Sequence, residues 1–472
     1  MEQARLEREL IRCRYLLTKG AVQRLGLRDM EAIEENWDSF IRECHAVYKK
    51  AQTILTRTML ELETEIEDLS RIDSKGEALK KHVYWLRVLE SCYEAFLWVA
   101  MHSDVREVYK GPKYGRLSAQ NIQSVLGVAT QMNQDPYAFA VPLDFTRFSC
   151  IADLLKVEFD KDTRGKAVDF IEVKQGSVNE AMLGAAKSRS PEAWKAFLDE
   201  HGEKGFEQAE RFFRAGKEFF ERSQQIHAKP GVYKAGKRVR IVAESKATPG
   251  YFTGEVEKLC GLARQGDYAV EIVDGCLLVG ALDTTSQNRY LLGEFDARLL
   301  ALNCFLTSED TSKWQPDHLV SELKKIEFTN WIEGFGSIGL IPPLLRDLSP
   351  RTFLDLILGR AYLHCYFHAP NFLQLCRDVG LKAGFFSKKH TNRLRSKQQW
   401  RSNDYPTWEG RALGYMVGSH PMVVGSLRLH EIIFNWRKPS SVAEEMASSV
   451  SNFDQASIAE LKNLTEEDLE TS

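Results

Sequence analysis

Three charged side chains fall among apolar residues in a segment that reads as two short strands, Cys150 to Gly176. Asp153 lies on the first strand, with apolar residues two positions away on either side. Glu172 and Lys174 share one face of the second strand, because side chains alternate along a strand. Charges at core positions usually mark a function, since burying them without a partner is costly. These three residues are therefore the first candidates for chemistry.

A short polar turn joins the two predicted strands. If the turn is centred between residues 162 and 163, Phe159 faces Lys166 and Asp153 faces Glu172, about 5 Å away at Cβ. Two partly buried carboxylates at that distance repel each other, and a divalent cation such as Mg²⁺ or Mn²⁺ relieves the repulsion. Lys174, two residues beyond the second acid, can orient a water molecule or neutralise charge at phosphorus. This arrangement suits phosphodiester hydrolysis.

An Asp on one strand followed by Glu-x-Lys on the next resembles the PD-(D/E)xK nuclease superfamily. The resemblance covers about residues 137–190, with Ala152 where the name-giving proline can stand. It implies that Asp153, Glu172 and the backbone carbonyl of Val173 bind the metal ion. It also implies that Lys174 orients the attacking water.

The same residues allow a structural interpretation, in which the hairpin lies at a sheet edge and Lys174 forms salt bridges with nearby acids. Glu244-Ser245-Lys246 also fits Glu-x-Lys, but no Asp precedes it on a neighbouring predicted strand. His364 and His368 are four residues apart but lack the glutamate of an H-E-x-x-H site, so we expect two structural histidines.

Long helices are predicted before the hairpin. Apolar residues recur every three or four positions from Ile33 to Leu69, which is typical of one helix face. The segment 71–78 breaks this pattern, and a second helix follows as an antiparallel neighbour. The pair predicts a bundle that packs or dimerises. Alternatively, Glu90 or Glu94 on the second helix supplies a catalytic carboxylate.

Further helices flank the hairpin. Ser118 is a candidate cap for a helix that ends near Met132, and Ser190-Pro191 begins another. We expect the phenylalanines of this last helix to pack in the core. They are Phe206, Phe212, Phe213, Phe219 and Phe220. Strands resume after a boundary near His227.

A basic and aromatic segment, residues 385–408, is the candidate nucleic-acid surface. Basic side chains release counterions from phosphates, and aromatic rings stack on unpaired bases. The candidate binding residues are Lys388, Lys389, Arg393, Arg395, Lys397, Trp400 and Arg401. Residues 229–240 form a second basic patch. A solvated basic loop or a surface for a protein partner is the alternative interpretation.

Composition limits these choices. A chain of 472 residues is too long for one core, and 43% hydrophobic and 27% charged residues are typical of a soluble globular protein. The net charge of −3 means that any nucleic-acid surface must be local. Nine scattered cysteines without a C-x-x-C pair favour reduced thiols in the cytoplasm. We expect no signal peptide and no membrane span.

The predicted fold is α+β, in four parts. They are a helical region (1–116), a PD-(D/E)xK-like α/β nuclease core (117–227), a mixed α/β C-terminal domain that binds nucleic acid or a partner (228–437), and a mobile tail (438–472). The expected activity is that of a metal-dependent endonuclease acting on DNA, with RNA as an alternative. By analogy, it would be an effector of prokaryotic anti-phage or restriction-type defence.

Two kinds of partner are expected besides nucleic acid. One is a second protein subunit, Argonaute-like or an ATPase, docked on the C-terminal half. The other is a second copy of the chain, joined through the N-terminal helices. A non-enzymatic helical scaffold or partner-binding subunit is the rival to the nuclease, and in it the hairpin charges are structural.

Overall fold

The computed structural model describes residues 1–101, 119–146, 152–160, 165–171, 173, 177–188, 190–226, 231–235, 238–242, 248–285, 341–397, 407–408, 410–417 and 420–451. These residues combine helices with small antiparallel sheets, which confirms the α+β class. The chain divides into two compact units. The first comprises Met1–His227 and Ile341–Arg346, and the second comprises Ala228–Leu340 and Asp347–Ser472.

In the first unit, six helices precede the three strands in the sequence and two helices follow them. Its helices are α1 (Gln3–Tyr15), α2 (Ala21–Leu25), α3 (Met30–Glu35), α4 (Trp37–Ile72), α5 (Glu77–Met101), α6 (Ala119–Met132), α7 (Ser177–Ser188) and α8 (Pro191–Ile226), with a π-helical turn at Leu16–Gly20. Its strands are β1 (Ala138–Pro142), β2 (Leu154–Phe159) and β3 (Lys166–Ile171), with a 3-10 turn at Leu143–Phe145.

Helices α4 and α5 form the antiparallel pair that the sequence predicted. The His82 ring Nε2, near the start of α5, lies 3.0 Å from Glu65 Oε2, near the end of α4. Met59, Leu62 and Val88 are fully buried. The apolar stripe of α4 is therefore a core stripe, and residues 73–76, within the predicted break at 71–78, connect the two helices.

The sheet has the order β1-β2-β3 and packs helices on both faces. On one face, Ala140 and Leu154 pack with Val125 and Ala129 of α6. On the other face, the ring of Phe139 lies 5.9–6.1 Å from rings of α4 and α5. In this order, β2 is the middle strand, and it is covered on both faces.

One expectation about this sheet is wrong. The sequence predicts that the second strand of the hairpin lies in the middle of a sheet, because Ile171 and Val173 make one face apolar in addition to the face of Val168 and Phe170. Among the described strands, β3 instead lies at an edge, and Lys166, Ala167 and Asp169 are exposed. The two apolar faces did not predict the position of the strand correctly, because only Ile171 and Val173, at the end of this segment, pack against the cluster of α6.

Side chains bond to the outer backbone edge of β1. Asn133 Oδ1 accepts a 2.7 Å hydrogen bond from the N–H of Ala140, and Gln52 Nε2 donates a 3.0 Å bond to the carbonyl of Ala140. Asn133 Nδ2 also donates to Gln52 Oε1 at 3.2 Å. All three residues are buried. Two amide side chains thus do what a further strand would do for this buried edge.

Helices α7 and α8 form a separate cluster around Met182, Ala185, Phe197 and Ala209. Pro191 begins α8, as predicted. The helix is interrupted at Gly202, whose φ of 54° and ψ of −137° are not helical and favour glycine.

The core position expected for the phenylalanines of α8 is wrong for two of them. Phe206 is 61% exposed and Phe213 is 58% exposed. The side chains of Phe212, Phe219 and Phe220 lie outside the described part of the chain. Small residues, Gly205 and Ala209, fill the buried face of the helix instead.

The second unit contains several small sheets. Its helices are α9 (Thr253–Gly266), α10 (Pro350–Ile357), α11 (Ala369–Asp378), α12 (Lys388–Lys397), α13 (Ser426–Ile433) and α14 (Pro439–Ser451). Its strands are β4 (Gly231–Ala235), β5 (Arg238–Val242), β6 (Tyr268–Val273), β7 (Leu277–Asp283), β8 (Ala361–Phe367), β9 (Ala383–Phe385), β10 (Thr407–Trp408), β11 (Arg411–Val417) and β12 (His420–Val423). Strands β6-β7-β8 form one sheet, β4-β5 a hairpin, and β11 pairs with β9, β10 and β12.

The expected mobile tail is wrong for its first part. Helix α14 buries Val442 and Ala443 completely. Glu445 of this helix lies 2.6 Å from Arg428 and 2.5 Å from Arg437, in a largely buried ion network. Residues 452–472 lie outside the description.

Candidate functional site

Asp153 directly precedes the first residue of β2, and its backbone is held from both sides. Its carbonyl accepts a 2.9 Å hydrogen bond from the N–H of Leu143, and its own N–H donates at 3.2 Å to the carbonyl of Ile171. The residue thus sits where the middle strand emerges between its two neighbours. Its side chain is partly buried. The two hydrogen bonds thus fix the backbone position from which the Asp153 carboxylate extends.

The predicted register of the hairpin is confirmed along β2 and β3. Phe159 pairs with Lys166, and the ladder continues to Leu154 opposite Ile171. The bond from the Asp153 N–H to the Ile171 carbonyl is offset by one residue from this ladder. Residue 172, which the register places opposite Asp153, lies outside the described residues.

The carboxylate of Asp153 makes one informative contact. Its Oδ2 accepts a hydrogen bond of 2.6 Å from the backbone N–H of Val173. The Val173 side chain packs against the cluster of Leu154 and α6. Val173 is therefore fixed beside Asp153 by a polar contact and by an apolar one. Its two chain neighbours, Glu172 and Lys174, are not among the described residues.

Helix α5 carries two acids that are at least partly buried. On α5, Glu94 is 1% exposed and Glu90 is partly buried. The helix crosses the sheet face that carries Phe139, and the Lys166 ammonium donates a 2.6 Å bond to its Ala100 carbonyl. Alternation of side chains places Asp153 on this same face. An acid of α5 and Asp153 thus lie on the same side of the sheet.

The described residues do not form a complete metal site. In the part of the chain that the structure describes, no three side chains of His, Cys, Asp or Glu are grouped as metal ligands. Asp144, which follows Leu143 in the 3-10 turn, is a partly buried acid that the sequence reasoning missed. An acid two residues after a buried strand was the available signal. A site at Asp153 requires Glu172.

The basic segment begins as helix α12 rather than as a loop. Lys388 and Lys389 are exposed at its start. The helix is anchored by buried Thr391, whose hydroxyl accepts a 3.0 Å bond from the Ala412 N–H. The side chains of Arg393, Arg395 and Lys397, and all of Trp400 and Arg401, lie outside the description.

Aromatic rings accompany the exposed lysines of α12. Phe386 and His390 stack with ring centroids 4.8 Å apart and an interplanar angle of 19°. The guanidinium of Arg411, on the neighbouring strand β11, lies 4.8 Å from the centre of the Phe385 ring. Sequence reasoning missed Arg411 because it is distant in the chain and reaches this surface through pairing of β9 with β11.

His364 and His368 occupy the positions expected of structural residues. His364 lies in β8, opposite Gly280, and is 9% exposed. His368 caps α11, and its ring Nδ1 accepts a 3.4 Å bond from the Asn371 N–H. Burial lowers the pKa of His368. The four-residue spacing thus spans a strand end and a helix cap, not one helical face. The second Glu-x-Lys, residues 244–246, lies outside the description.

The chain matches no known family model, no curated protein and no solved structure. None of the helices within the described ranges is long and apolar enough to cross a membrane.

Proposed function

We propose that this protein is a metal-dependent endonuclease that hydrolyses phosphodiester bonds of DNA at the Asp153 end of the hairpin. The observation that carries the proposal is the 2.6 Å bond from the Val173 N–H to Asp153 Oδ2. It brings the middle residue of Glu172-Val173-Lys174 against the acid of the preceding strand. This contact supports the pairing of Asp153 with the Glu-x-Lys segment.

Each residue has a distinct role in this proposal. Asp153 and Glu172 bind Mg²⁺ or Mn²⁺ through carboxylate oxygens, and the carbonyl of Val173 is a further ligand. Lys174 orients the attacking water and neutralises charge that develops at phosphorus. Glu90 or Glu94 of α5, on the same side of the sheet as Asp153, is the candidate for an additional carboxylate.

The basic helix α12 supplies the proposed binding surface for the nucleic acid. Its exposed Lys388 and Lys389 offer phosphate contacts, and the adjacent Phe386–His390 pair offers flat rings. RNA remains the alternative substrate. A role as an effector of anti-phage or restriction-type defence, acting with an Argonaute-like or ATPase subunit in the cytoplasm, rests on analogy with nucleases that carry extra recognition regions.

The experiment compares two alanine variants. Asp153→Ala removes a ligand and should lose both Mn²⁺ affinity and plasmid nicking. Lys174→Ala should retain Mn²⁺ affinity and nick about 10² to 10³ times more slowly. Asp169→Ala is the matched control, because Asp169 is an exposed acid of the same hairpin. Calorimetry with Mn²⁺ measures the first property without requiring activity.

Two results contradict the proposal. In the first, Asp153→Ala binds Mn²⁺ as tightly as the wild type and Asp169→Ala do. In the second, Lys174→Ala nicks DNA at the rate of an active wild type. The first result would show that Asp153 is not a metal ligand. The second would show that the hairpin is not the catalytic site.

One observation favours the rival scaffold. The same hydrogen bond that joins Asp153 to Val173 also satisfies a backbone N–H at the end of an edge strand, which is a structural role. A scaffold predicts that Mn²⁺ leaves the melting temperature of the wild type unchanged. The nuclease predicts a rise of the melting temperature in the wild type that Asp153→Asn abolishes.

A further inference from the structure

Two aromatic rings lie together at the start of α12. The rings of Phe386 and His390 are nearly parallel, with an interplanar angle of 19° and centroids 4.8 Å apart. Ser387 lies between them in the sequence, and its Oγ accepts a 3.1 Å hydrogen bond from the N–H of His390. Both ring residues are partly exposed. The ring pair is therefore an ordered part of the surface of the second unit.

The neighbouring strand β11 supports the Phe386 ring. The N–H of Phe386 donates a 2.9 Å hydrogen bond to the carbonyl of Ala412. A Cβ at Gly414 would lie 2.6 Å from Cζ of Phe386, which is closer than two such atoms can approach, so the ring fills the space of a side chain at position 414. Phe386 thus contacts the backbone of β11 as well as the His390 ring. This support fixes the position of the His390 ring.

The segment that carries the ring pair is basic. Residues 382–397 contain six lysines or arginines and no aspartate or glutamate. Lys388 and Lys389, which lie between the two rings in the sequence, are exposed. In a chain with a net charge of −3, such a segment is complementary to a polyanion. The surface thus combines cationic side chains with a fixed flat ring.

Among polyanions, nucleic acids carry flat groups that can stack on a ring. In a duplex, each base is stacked on its neighbours and presents only an edge to the protein in a groove. In a single strand the faces of the bases are accessible, and they stack on aromatic side chains while the backbone follows basic residues. The Phe386–His390 pair beside two lysines fits this second mode of binding.

We propose that the His390 ring, supported by Phe386, stacks on an unpaired base and that α12 therefore selects single-stranded DNA over duplex DNA. Lys388 and Lys389 neutralise phosphates next to that base. The inference rests on one part of the proposed function, namely that nucleic acid binds at α12. It does not depend on a metal ion at Asp153. It identifies the form of DNA that this surface binds.

Two substitutions at position 390 separate stacking on a base from packing on Phe386. His390→Leu keeps an apolar side chain that can pack on Phe386 but removes the flat ring, whereas His390→Phe keeps a ring. The affinity of the full chain for an oligothymidylate of about 16 nucleotides should fall about tenfold in His390→Leu and stay close to the wild-type affinity in His390→Phe. A purely structural role of His390 predicts instead that the two variants bind alike. Both variants should keep the wild-type melting transitions, because His390 is partly exposed.

Fluorescence anisotropy in the presence of EDTA measures binding without metal-dependent cleavage. A duplex and an abasic strand of the same length are the controls. The abasic strand keeps the phosphates but has no base to stack, so His390→Leu should leave its affinity unchanged. The wild type should bind the oligothymidylate more tightly than either control. Lys388→Ala with Lys389→Ala should weaken the binding of all three molecules, because it removes phosphate contacts.

The results that overturn the inference differ from those that overturn the proposed function. Equal affinity of His390→Leu and the wild type for the oligothymidylate would overturn the stacking, and equal affinity of the wild type for the duplex and the single strand would overturn the selectivity. If the lysine variant still binds more weakly in those cases, the nucleic-acid surface stands and only the inference is wrong. If none of the three molecules binds the wild type, both are wrong. Binding that depends on the ring at position 390, without metal-dependent nicking, would support the inference and contradict the nuclease alone.

Discussion

Replacing Asn133 with alanine tests whether two side chains hold β1, and with it the strand that leads to Asp153. Asn133 is 3% exposed, and its Oδ1 accepts the 2.7 Å bond from the Ala140 N–H. Its Nδ2 donates to Gln52 Oε1 at 3.2 Å and to the Ala140 carbonyl at 3.3 Å. The alanine variant loses all three bonds and leaves a buried backbone N–H without this acceptor.

The magnitude follows from what remains unpaired. A buried N–H that loses its partner costs about 1–3 kcal/mol, and the remaining bonds contribute about 1 kcal/mol net each. The Gln52 side chain still bonds the Ala140 carbonyl at 3.0 Å, which limits the loss. We therefore expect Asn133→Ala to destabilise this region by about 3 kcal/mol. A change of that size accelerates exchange of a protected amide about a hundredfold.

Hydrogen exchange is the appropriate assay, because a chain with two compact units does not have a single unfolding free energy. Exchange of the amides of residues 138–142 should rise in Asn133→Ala, while amides of β6-β7-β8 serve as an internal reference. Asn36→Ala is the matched control, since the Asn36 side chain donates a 2.9 Å bond to the Ala32 carbonyl at an exposed site. A variant whose β1 amides exchange within about twofold of the wild type would refute the reasoning.

Two further predictions concern the second unit. Alanine at four basic positions of α12 should weaken nucleic-acid binding. The slope of the logarithm of the binding constant against the logarithm of salt concentration should become shallower by roughly 0.7 to 0.9 for each phosphate that the variant no longer neutralises. A slope equal to that of the wild type and of the control Lys80→Ala would show that nucleic acid does not bind at α12. These positions are Lys388, Lys389, Arg393 and Arg395. Burial alone would raise the pKa of Glu445, but the guanidinium groups of Arg428 and Arg437 hold it below its ordinary value of 4.5. The ionised carboxylate therefore stabilises the folded protein above pH 4.5. This stabilisation is lost as the pH falls through the lower pKa that the group has in the folded state. Glu445→Gln should therefore destabilise the second unit by about 2 to 4 kcal/mol near pH 7, and the melting transition of that unit should converge with the wild-type transition in acid. An equal difference at about pH 3 and about pH 7 would contradict this.

The sequence predicted those parts of the fold that depend on local signals. The intervals of three and four in α4, the proline at the start of α8 and the tight turn after Phe159 each determine local geometry. The register of the hairpin followed because a turn of fixed length leaves few ways to pair two strands. The structure confirms the buried stripe of α4, the start of α8 and the register from Phe159–Lys166 to Leu154–Ile171.

The errors arose where burial depends on neighbours that are distant in the chain. The apolar residues of β3 gave no indication that β2 would be the middle strand, since that depends on β1 pairing from the other side. The phenylalanines of α8 were assigned to the core by residue type, yet Gly205 and Ala209 occupy the contact. Helix α14 was assigned to a tail because it has few large apolar residues, but Val442 and Ala443 suffice for close packing.

The position of Asp153 at the start of the middle strand bears on the proposed chemistry. Its backbone is fixed by Leu143 on one side and Ile171 on the other, which suits a ligand that must hold a metal ion with little movement. The second half of the pattern follows β3, an edge strand with exposed residues. A nucleic acid is a long polymer and must approach its metal ion from an open side. The fixed backbone of Asp153 meets the first requirement and the exposed edge strand β3 meets the second, whereas a hairpin buried in the middle of a sheet would meet only the first.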